Sequence, residues 1–584
     1  MTMAERVVPD DSVIEADVGP VRAILSAVAP AAPLARALHQ AAADPEVKAI
    51  ALFLSGEGDE TAAAPVVEAL AQCGKATVAG LSGNVAGPVL ALALACDEIL
   101  CVPSTAIVTP EVRQGLVPIF GTTQALPRRV GAAAALRLLL TGQPVNAGEA
   151  IAIGLVDRVI EGDLADAAIA RAADLAQHQA SRSAAPGLRD PVAFQAAVTA
   201  ARTALSSEPL PAPARIVDCV EAALLLPPDQ GLAFEAAARG DLDETDEAAG
   251  LAHAARIDGV LRRDAPGLGH AAPHGVAIWG TGGQSRALVR RALSSGLRVA
   301  LCAADAAVLE AELSAIAQAQ EAEVARGSLT PEMRDSDWAR LTPWLDPVTE
   351  DAVLLCPGAE EWVPRALRLS VAAVDAGGAS GGQLISLGFP LPGEGSIAPG
   401  ALCEMTVTAS QQRHRAAAGA LVARLGLVPV ETGQGGPVAL RLRAALAAAI
   451  AQLESEGHPR AAVAATLAAR GLIGGRAVPR SHKTSPQDHE ILTRCEAALA
   501  NAGARLVQSG AARSPDVVDA LAVAARLYPR WLGGPMLRAD RRGLDRLQAD
   551  LQNWSALSPQ VWSPAALIDR LVSEGRRFAD LTTA

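Results

Sequence analysis

Two hydrophobic periods alternate along the first part of the chain. Short runs of aliphatic and β-branched residues at 49–54 and 76–81 stand between longer Ala- and Leu-rich stretches whose apolar positions recur three and four apart. That alternation predicts an α/β fold, a parallel sheet covered by helices. From 191 to 263 only the helical period remains, with an amphipathic stretch at 231–239 after Pro227-Pro228, residues suited to a first helical turn. A second α/β unit opens at Gly275-Val276-Ala277-Ile278-Trp279, a buried-strand pattern that runs straight into a glycine turn and then a helix. Beyond about Thr406 the pattern is helical alone, in two blocks. Turn formers cluster at Ala185-Pro186-Gly187, at 265–274 and at 474–488. These breaks divide the chain into an α/β domain at 1–190, a helical connecting region at 191–272, a second α/β domain at 273–405, and helical domains at 406–484 and 485–584.

Composition narrows the possibilities. Half of the 584 residues are apolar, enough for several cores, but aromatics make up only 2% and Tyr528 is the single tyrosine. Packing must therefore rest on Leu, Val and Ala. A formal charge of −13 without a Lys/Arg block argues against nucleic acid or an anionic membrane surface as partner. The most apolar run, 87–96, is too short to span a bilayer. The first 17 residues are acidic and lack an apolar stretch flanked by basic residues, so a cytoplasmic protein without membrane insertion is expected. Eight cysteines are scattered singly with no C-x-x-C pair, the pattern of reduced, buried thiols. His270 and His274 have ligand-like spacing, but Pro273 lies between them and no Cys, Asp or Glu stands beside either, so no metal is assigned.

Candidate chemistry begins at Gly83-Asn84-Val85-Ala86-Gly87-Pro88, continues through Thr109-Pro110-Glu111 and Leu126-Pro127-Arg128-Arg129-Val130-Gly131, and ends at Leu140-Thr141-Gly142-Gln143-Pro144-Val145 and Gly154-Leu155-Val156-Asp157. This ordered set resembles the crotonase, or enoyl-CoA hydratase/isomerase, family, without a gap over 75–159. The resemblance implies a ββα-spiral domain, an acyl-CoA thioester as ligand, and two glutamates that handle water and the α-proton beside the substrate double bond. The second glutamate falls on Glu111; the first, by the family's spacing (111 − 91 = 20), falls on Ala91. An enolate-binding amide falls on Pro88, which has no N–H, although proline also suits a first helical position. The segment 55–74 is shorter than the family's and lacks the loop that supplies the other amide and covers the CoA adenine. Glu111 is then either a lone proton shuttle, as in the family's single-glutamate isomerases, or unused.

The glycine turn Gly280-Thr281-Gly282-Gly283-Gln284-Ser285 lies between a strand and a helix, the setting that a dinucleotide-binding turn requires. Gly280, Gly282 and Ser285 are the candidate NAD contacts. The next strand, 298–302, runs into Ala303 where a ribose-binding carboxylate is expected, and Asp305 comes two positions late, so NAD binding is expected to be weak. The chain beyond this strand resembles the 3-hydroxyacyl-CoA dehydrogenase family, in which a histidine takes the hydroxyl proton while NAD takes hydride. By that resemblance Gly388, in Ser386-Leu387-Gly388-Phe389-Pro390, stands in the place of the histidine, and Glu404 in that of its orienting glutamate. Residues 375–378 replace an Asn-Thr-Ser motif, and Leu440 replaces an asparagine before Arg441. The run Leu425-Gly426-Leu427-Val428-Pro429-Val430 matches that family's approach to its helical domain. Tyr528-Pro529-Arg530-Trp531-Leu532-Gly533-Gly534-Pro535-Met536, with Ala539-Asp540 and Gly543-Leu544, resembles the signature that closes the bifunctional β-oxidation enzymes of multifunctional type 1, and 227–256 resembles their linker helix.

The resemblance therefore implies a crotonase domain, a linker helix, a Rossmann-type NAD-binding domain and two all-α dehydrogenase domains. Ala91, Pro88, Gly388 and Leu440 fall at chemistry positions inside a frame of retained packing motifs. That pattern favours a catalytically degenerate protein that binds acyl-CoA, as a sensor or as a subunit of a complex of acyl-CoA enzymes. The alternative is an active isomerase or hydratase with NAD-dependent dehydrogenase activity. A monomer or a hetero-complex is expected.

Overall fold

The computed structural model describes residues 13–26, 32–56, 58, 60–178, 185–206, 208–267, 269, 275–279, 282–303, 305–345, 353–355, 372–374, 385–388, 400–407, 412, 415–433, 437–473 and 485–581. Gly280, residues 375–378, Phe389, Pro390, His270 and His274 lie outside them. The chain divides into two compact units, Met1–Leu251 and Ala252–Ala584, with the border inside the helix Asp246–Arg263.

The first unit is built on a sheet in the order Val13–Val18, Val21–Ser26, Ala49–Gly56, Ala76–Ala86, Glu98–Cys101, Arg158–Val159. The pairs along this order are parallel except for the opening hairpin, and off it Ala106–Val108 pairs antiparallel with Val145–Asn146. The strand Ala49–Gly56 shows why its sequence reads as a continuous apolar run. Ile50, Leu52 and Leu54 enter one core, while Ala49, Ala51 and Phe53 enter another, so both faces of the sheet are buried. The second face is covered by the helix Leu164–His178 through Ala168, Ala172 and Leu175. The long strand Ala76–Ala86 serves two partners: residues 78–81 pair with Glu98–Cys101, and residues 84–86 pair with Ala106–Val108. Gly83, at φ +66°, sits at the change of partner, in the left-handed region that favours glycine.

Residues 191–272, expected as a connecting region, divide at the unit border. Helices Pro191–Ala204, Pro211–Leu225 and Pro228–Asp243 send Phe194, Val198, Ile216, Val220 and Leu242 into the larger core of the first unit. A buried polar network ties them to the helix Thr122–Val130. The Glu235 carboxylate accepts the Gly121 N–H (2.7 Å), the Thr123 N–H (2.8 Å) and the Thr123 hydroxyl (2.5 Å). The Gln124 side-chain amide donates to the Cys219 carbonyl at 2.9 Å. A β-carbon on Gly231 would lie 2.2 Å from Gln124 Oε1, so the helices approach this closely only because position 231 has no side chain.

The second unit contains two small sheets. One has the order Leu341–Trp344, Arg298–Cys302, Gly275–Trp279, Val353–Leu355, all parallel. The other has the order Ala372–Val374, Ile385–Gly388, Leu402–Thr406, Val428–Thr432. The last of these strands lies beyond Thr406, where helical periodicity alone was expected. The run Val428-Pro429-Val430 is short and pairs in parallel with Leu402–Thr406, and a five-residue strand is too brief to stand out between two helices. The helices Val438–Ser455 and Arg460–Arg470 share one core with Pro486–Gln508 and the helices after it. Tyr528, Trp562 and Phe578 are fully buried there, so this core holds several of the chain's few aromatics. Among the described residues no helix is long and apolar enough to cross a membrane.

Two glycines of the helix Pro228–Asp243 should respond in opposite ways to alanine. At Gly231 the new methyl meets Gln124, and the overpacking should cost about 1–3 kcal/mol. At Gly240 nothing lies within 4 Å, and alanine should stabilise by about 0.5–1 kcal/mol. Urea unfolding of both variants, followed on the first unit's transition, checks the pair; equal effects would contradict the close approach of these helices.

Candidate functional site

In the first unit Glu111 is carried by a short 3₁₀ turn, Pro110–Gln114, just after the strand Ala106–Val108. Its side chain is buried. Two glycines fix the turn from outside. Gly115 ends it at φ +74°, and a β-carbon there would meet Leu251 Cδ1 at 3.0 Å and Ala248 Cα at 3.2 Å. Gly142, at φ +57°, comes so close that a β-carbon would lie 3.0 Å from the Thr109 carbonyl oxygen. The Thr109 hydroxyl in turn donates to the Leu138 carbonyl at 2.9 Å. The motif Leu140-Thr141-Gly142 thus serves the backbone that holds Glu111.

The helix Gly87–Ala95 carries the other two positions. Pro88 lies in its first turn after Ala86 in extended backbone, where a missing N–H leaves no helical bond unmade. Pro88 and the six residues after it, through Leu94, are all buried, Ala91 among them. A methyl group packs well there and has no proton to give.

In the second unit the strand Gly275–Trp279 leads to the helix Gly283–Ser294, with Gly282 as N-cap at φ +98°. Ser285 is fully buried. The neighbouring strand ends at Cys302, and Ala303 after it is buried. Asp305 caps the helix Ala306–Ala325, its carboxylate accepting the Val308 N–H at 2.9 Å. That bond gives Asp305 a local structural use.

Gly388 and Glu404 are brought together by register: they are directly opposed in the antiparallel pair of Ile385–Gly388 with Leu402–Thr406. Glu404 is buried, and its two oxygens accept the Val438 N–H (2.6 Å) and the Ala439 N–H (3.1 Å) at the start of the helix Val438–Ser455. Burial pushes its carboxyl up to about 7, against the pull of those two amides. Leu440, two residues further along the same first turn, is half exposed.

Sequence reasoning missed two buried glutamates. Glu235, pushed up to about 7 by burial, holds the start of the helix Thr122–Val130. Glu312, on the helix Ala306–Ala325, accepts the Gly282 N–H at 3.0 Å. The signal for Glu235 was an acidic residue among Gly231, Ala238 and Leu242 on one helix face, and for Glu312 one between Leu309 and Ile316. Among the described residues no group of three or more His, Cys, Asp or Glu is arranged to hold a metal ion.

Part of the first unit is similar to known proteins. Residues 58–204 match the family model for enoyl-CoA hydratase/isomerase. The chain is 28% identical over 299 residues to the peroxisomal fatty acid beta-oxidation multifunctional protein MFP2 of Arabidopsis thaliana, covering 48% of this chain and 40% of that protein. It is 34% identical over 216 residues to the fatty acid oxidation complex subunit alpha of Shewanella amazonensis, covering 34% of this chain and 30% of the relative. Among solved structures, an enoyl-CoA hydratase from Mycobacterium avium subsp. paratuberculosis matches at 22% identity and a TM-score of 0.30, over 41% of this chain and 92% of that one. The matched stretches thus span less than half the length of these curated relatives. The α/β first unit thus contains a stretch similar to the enoyl-CoA hydratase/isomerase family, and these curated relatives are fatty acid β-oxidation proteins.

Proposed function

We propose that this chain is a β-oxidation-type protein that binds acyl-CoA thioesters without turning them over, as a sensor or as a subunit of a complex with other acyl-CoA enzymes. The observation that carries the reading is the pairing of Gly388 with Glu404. Where a dehydrogenase of this type needs an imidazole beside its glutamate, the chain offers bare backbone, and both oxygens of the glutamate are engaged as a helix cap. Without a group to take the hydroxyl proton, hydride transfer has no general base. The first unit supports the same reading. Ala91 offers no acid or base, and Pro88 offers no amide to a developing enolate. Each such loss typically costs about two to four orders of magnitude in rate.

The order of its four parallel strands supports reading the second α/β unit as a dinucleotide-binding type, but its described side chains do not fit NAD. Ala303 stands at the strand end in place of a carboxylate, Asp305 is turned into a helix cap, and the Gly282 amide is already bonded within the chain. These residues give no support to a hydride step through NAD.

A second reading rests on Glu111. Its turn is fixed by Gly115 and Gly142, so a buried carboxylate is held in place in a domain of isomerase type. Moving one proton between two carbons of a 3-enoyl thioester needs a single such group.

Purified protein given crotonyl-CoA, a 3-enoyl-CoA, or 3-hydroxybutyryl-CoA with NAD should show no change in thioester or NADH absorbance, while calorimetry detects binding of crotonyl-CoA. Turnover of crotonyl-CoA or of the hydroxyacyl substrate would defeat the proposal. Should the 3-enoyl substrate alone react, Glu111→Gln should abolish that reaction, and a variant that retains the rate would remove Glu111 from it. A separate expectation concerns pH. Glu404 binds its proton more tightly folded, at about 7, than at its ordinary 4.5, so its favourable contribution is complete below about 4.5 and lost as pH rises through 7. The thermal midpoint of the second unit should therefore fall between pH 5 and pH 8. Glu404→Gln, which has the charge of the protonated side chain at every pH, should flatten that fall.

A further inference from the structure

A phosphate-binding glycine turn works by leaving backbone amides free at a helix start, where the positive end of the helix dipole also favours an anion. In this chain the turn before the helix Gly283–Ser294 already holds one. Glu312 reaches back from the second turn of the helix Ala306–Ala325, and its Oε1 accepts the Gly282 N–H at 3.0 Å. Arg286, from the first turn of the helix Gly283–Ser294, approaches both carboxylate oxygens, at 3.2 and 3.4 Å. Glu312 is only 7% exposed, so this carboxylate is part of the packed interior rather than a passing surface contact.

We propose that Glu312 is a built-in anion that occupies the phosphate position of the glycine turn and closes it to pyrophosphate-bearing dinucleotides. The proposal rests on reading residues 275–294 as a dinucleotide-type turn. An amide, a guanidinium and a helix N-terminus form the set of positive groups that a diphosphate would seek, and here a carboxylate satisfies it internally. An incoming diphosphate would have to displace a hydrogen bond already made and approach a fixed negative charge at close range. This closure differs from the change at Ala303, which concerns the ribose hydroxyls rather than the phosphates.

The test is calorimetry on the full chain, titrating NAD and, separately, inorganic pyrophosphate into the wild type, Glu312→Ala and Glu312→Gln. Circular dichroism and the thermal midpoint establish that each variant is folded; the glutamine keeps an acceptor for Gly282 and guards against collapse of the alanine variant. The wild type should show no saturable binding of either probe at millimolar concentration. Removing the charge should strengthen pyrophosphate binding about ten-fold or more, because Arg286, and in the alanine variant the Gly282 amide as well, becomes available to it. A gain for pyrophosphate but not for NAD would uphold the closure by Glu312 while defeating the dinucleotide reading of the turn. Wild-type binding as tight as the variants', or folded variants that gain neither probe, would overturn the proposal.

Discussion

A buried carboxylate set against the free amides of a helix start is the interaction on which this architecture depends most. Glu235 does this for the helix Thr122–Val130 from 112 residues away, and Glu404 does it for Val438–Ser455. Asp519 accepts the Met536 and Leu537 amides that open Pro535–Arg542, at 2.7 and 3.1 Å. In each case burial raises the carboxyl above its ordinary value, and the helix amides and dipole offset only part of that desolvation. Hydrogen bonds to a charged group are worth about 1.5–3 kcal/mol each, roughly twice a neutral one, and they are directional. In a chain with so few aromatics, they give specificity to cores built largely of Ala, Leu and Val, whose packing alone discriminates little between neighbouring registers.

The same device bears on what a buried carboxylate can do chemically. A glutamate beside a reacting carbon must keep an oxygen free to take a proton, whereas a glutamate that caps a helix has both oxygens engaged. Glu404 is in the second condition, facing Gly388 across the strand pair. Asp305 and Glu312 are likewise drawn into helix starts. Glu404, Asp305 and Glu312 thus each bond the amides of a helix start.

At several glycines a side chain would meet a close neighbour. Gly115 and Gly142 combine left-handed backbone with a close neighbour, and Gly231 has Gln124 against it in an otherwise ordinary helix. Gly534, at φ +130°, leaves room for the Asp519 carboxylate, 2.4 Å from where a β-carbon would stand. Motifs such as Leu140-Thr141-Gly142 and Gly533-Gly534-Pro535-Met536 are therefore explained by backbone approach without appeal to turnover.

Local pattern was enough to determine much of this protein. The buried run 49–54, the strand Gly275–Trp279 entering a glycine turn, the proline at the start of Gly87–Ala95 and the helical character of 191–263 all arise from period, turn chemistry and cap preference, which act between residues a few positions apart. The candidate positions Glu111, Gly388 and Glu404 were legible too, because each lies within a short recognisable string. Only tertiary structure decided what those groups touch. That Glu404 caps Val438–Ser455, that Glu235 binds Thr123, and that Glu312 lies on the Gly282 amide depend on chain segments 30 to 112 residues apart meeting in space. A buried acidic residue looks the same in sequence whether it will face a substrate or a helix, because its partner is fixed by packing and not by its neighbours in the chain.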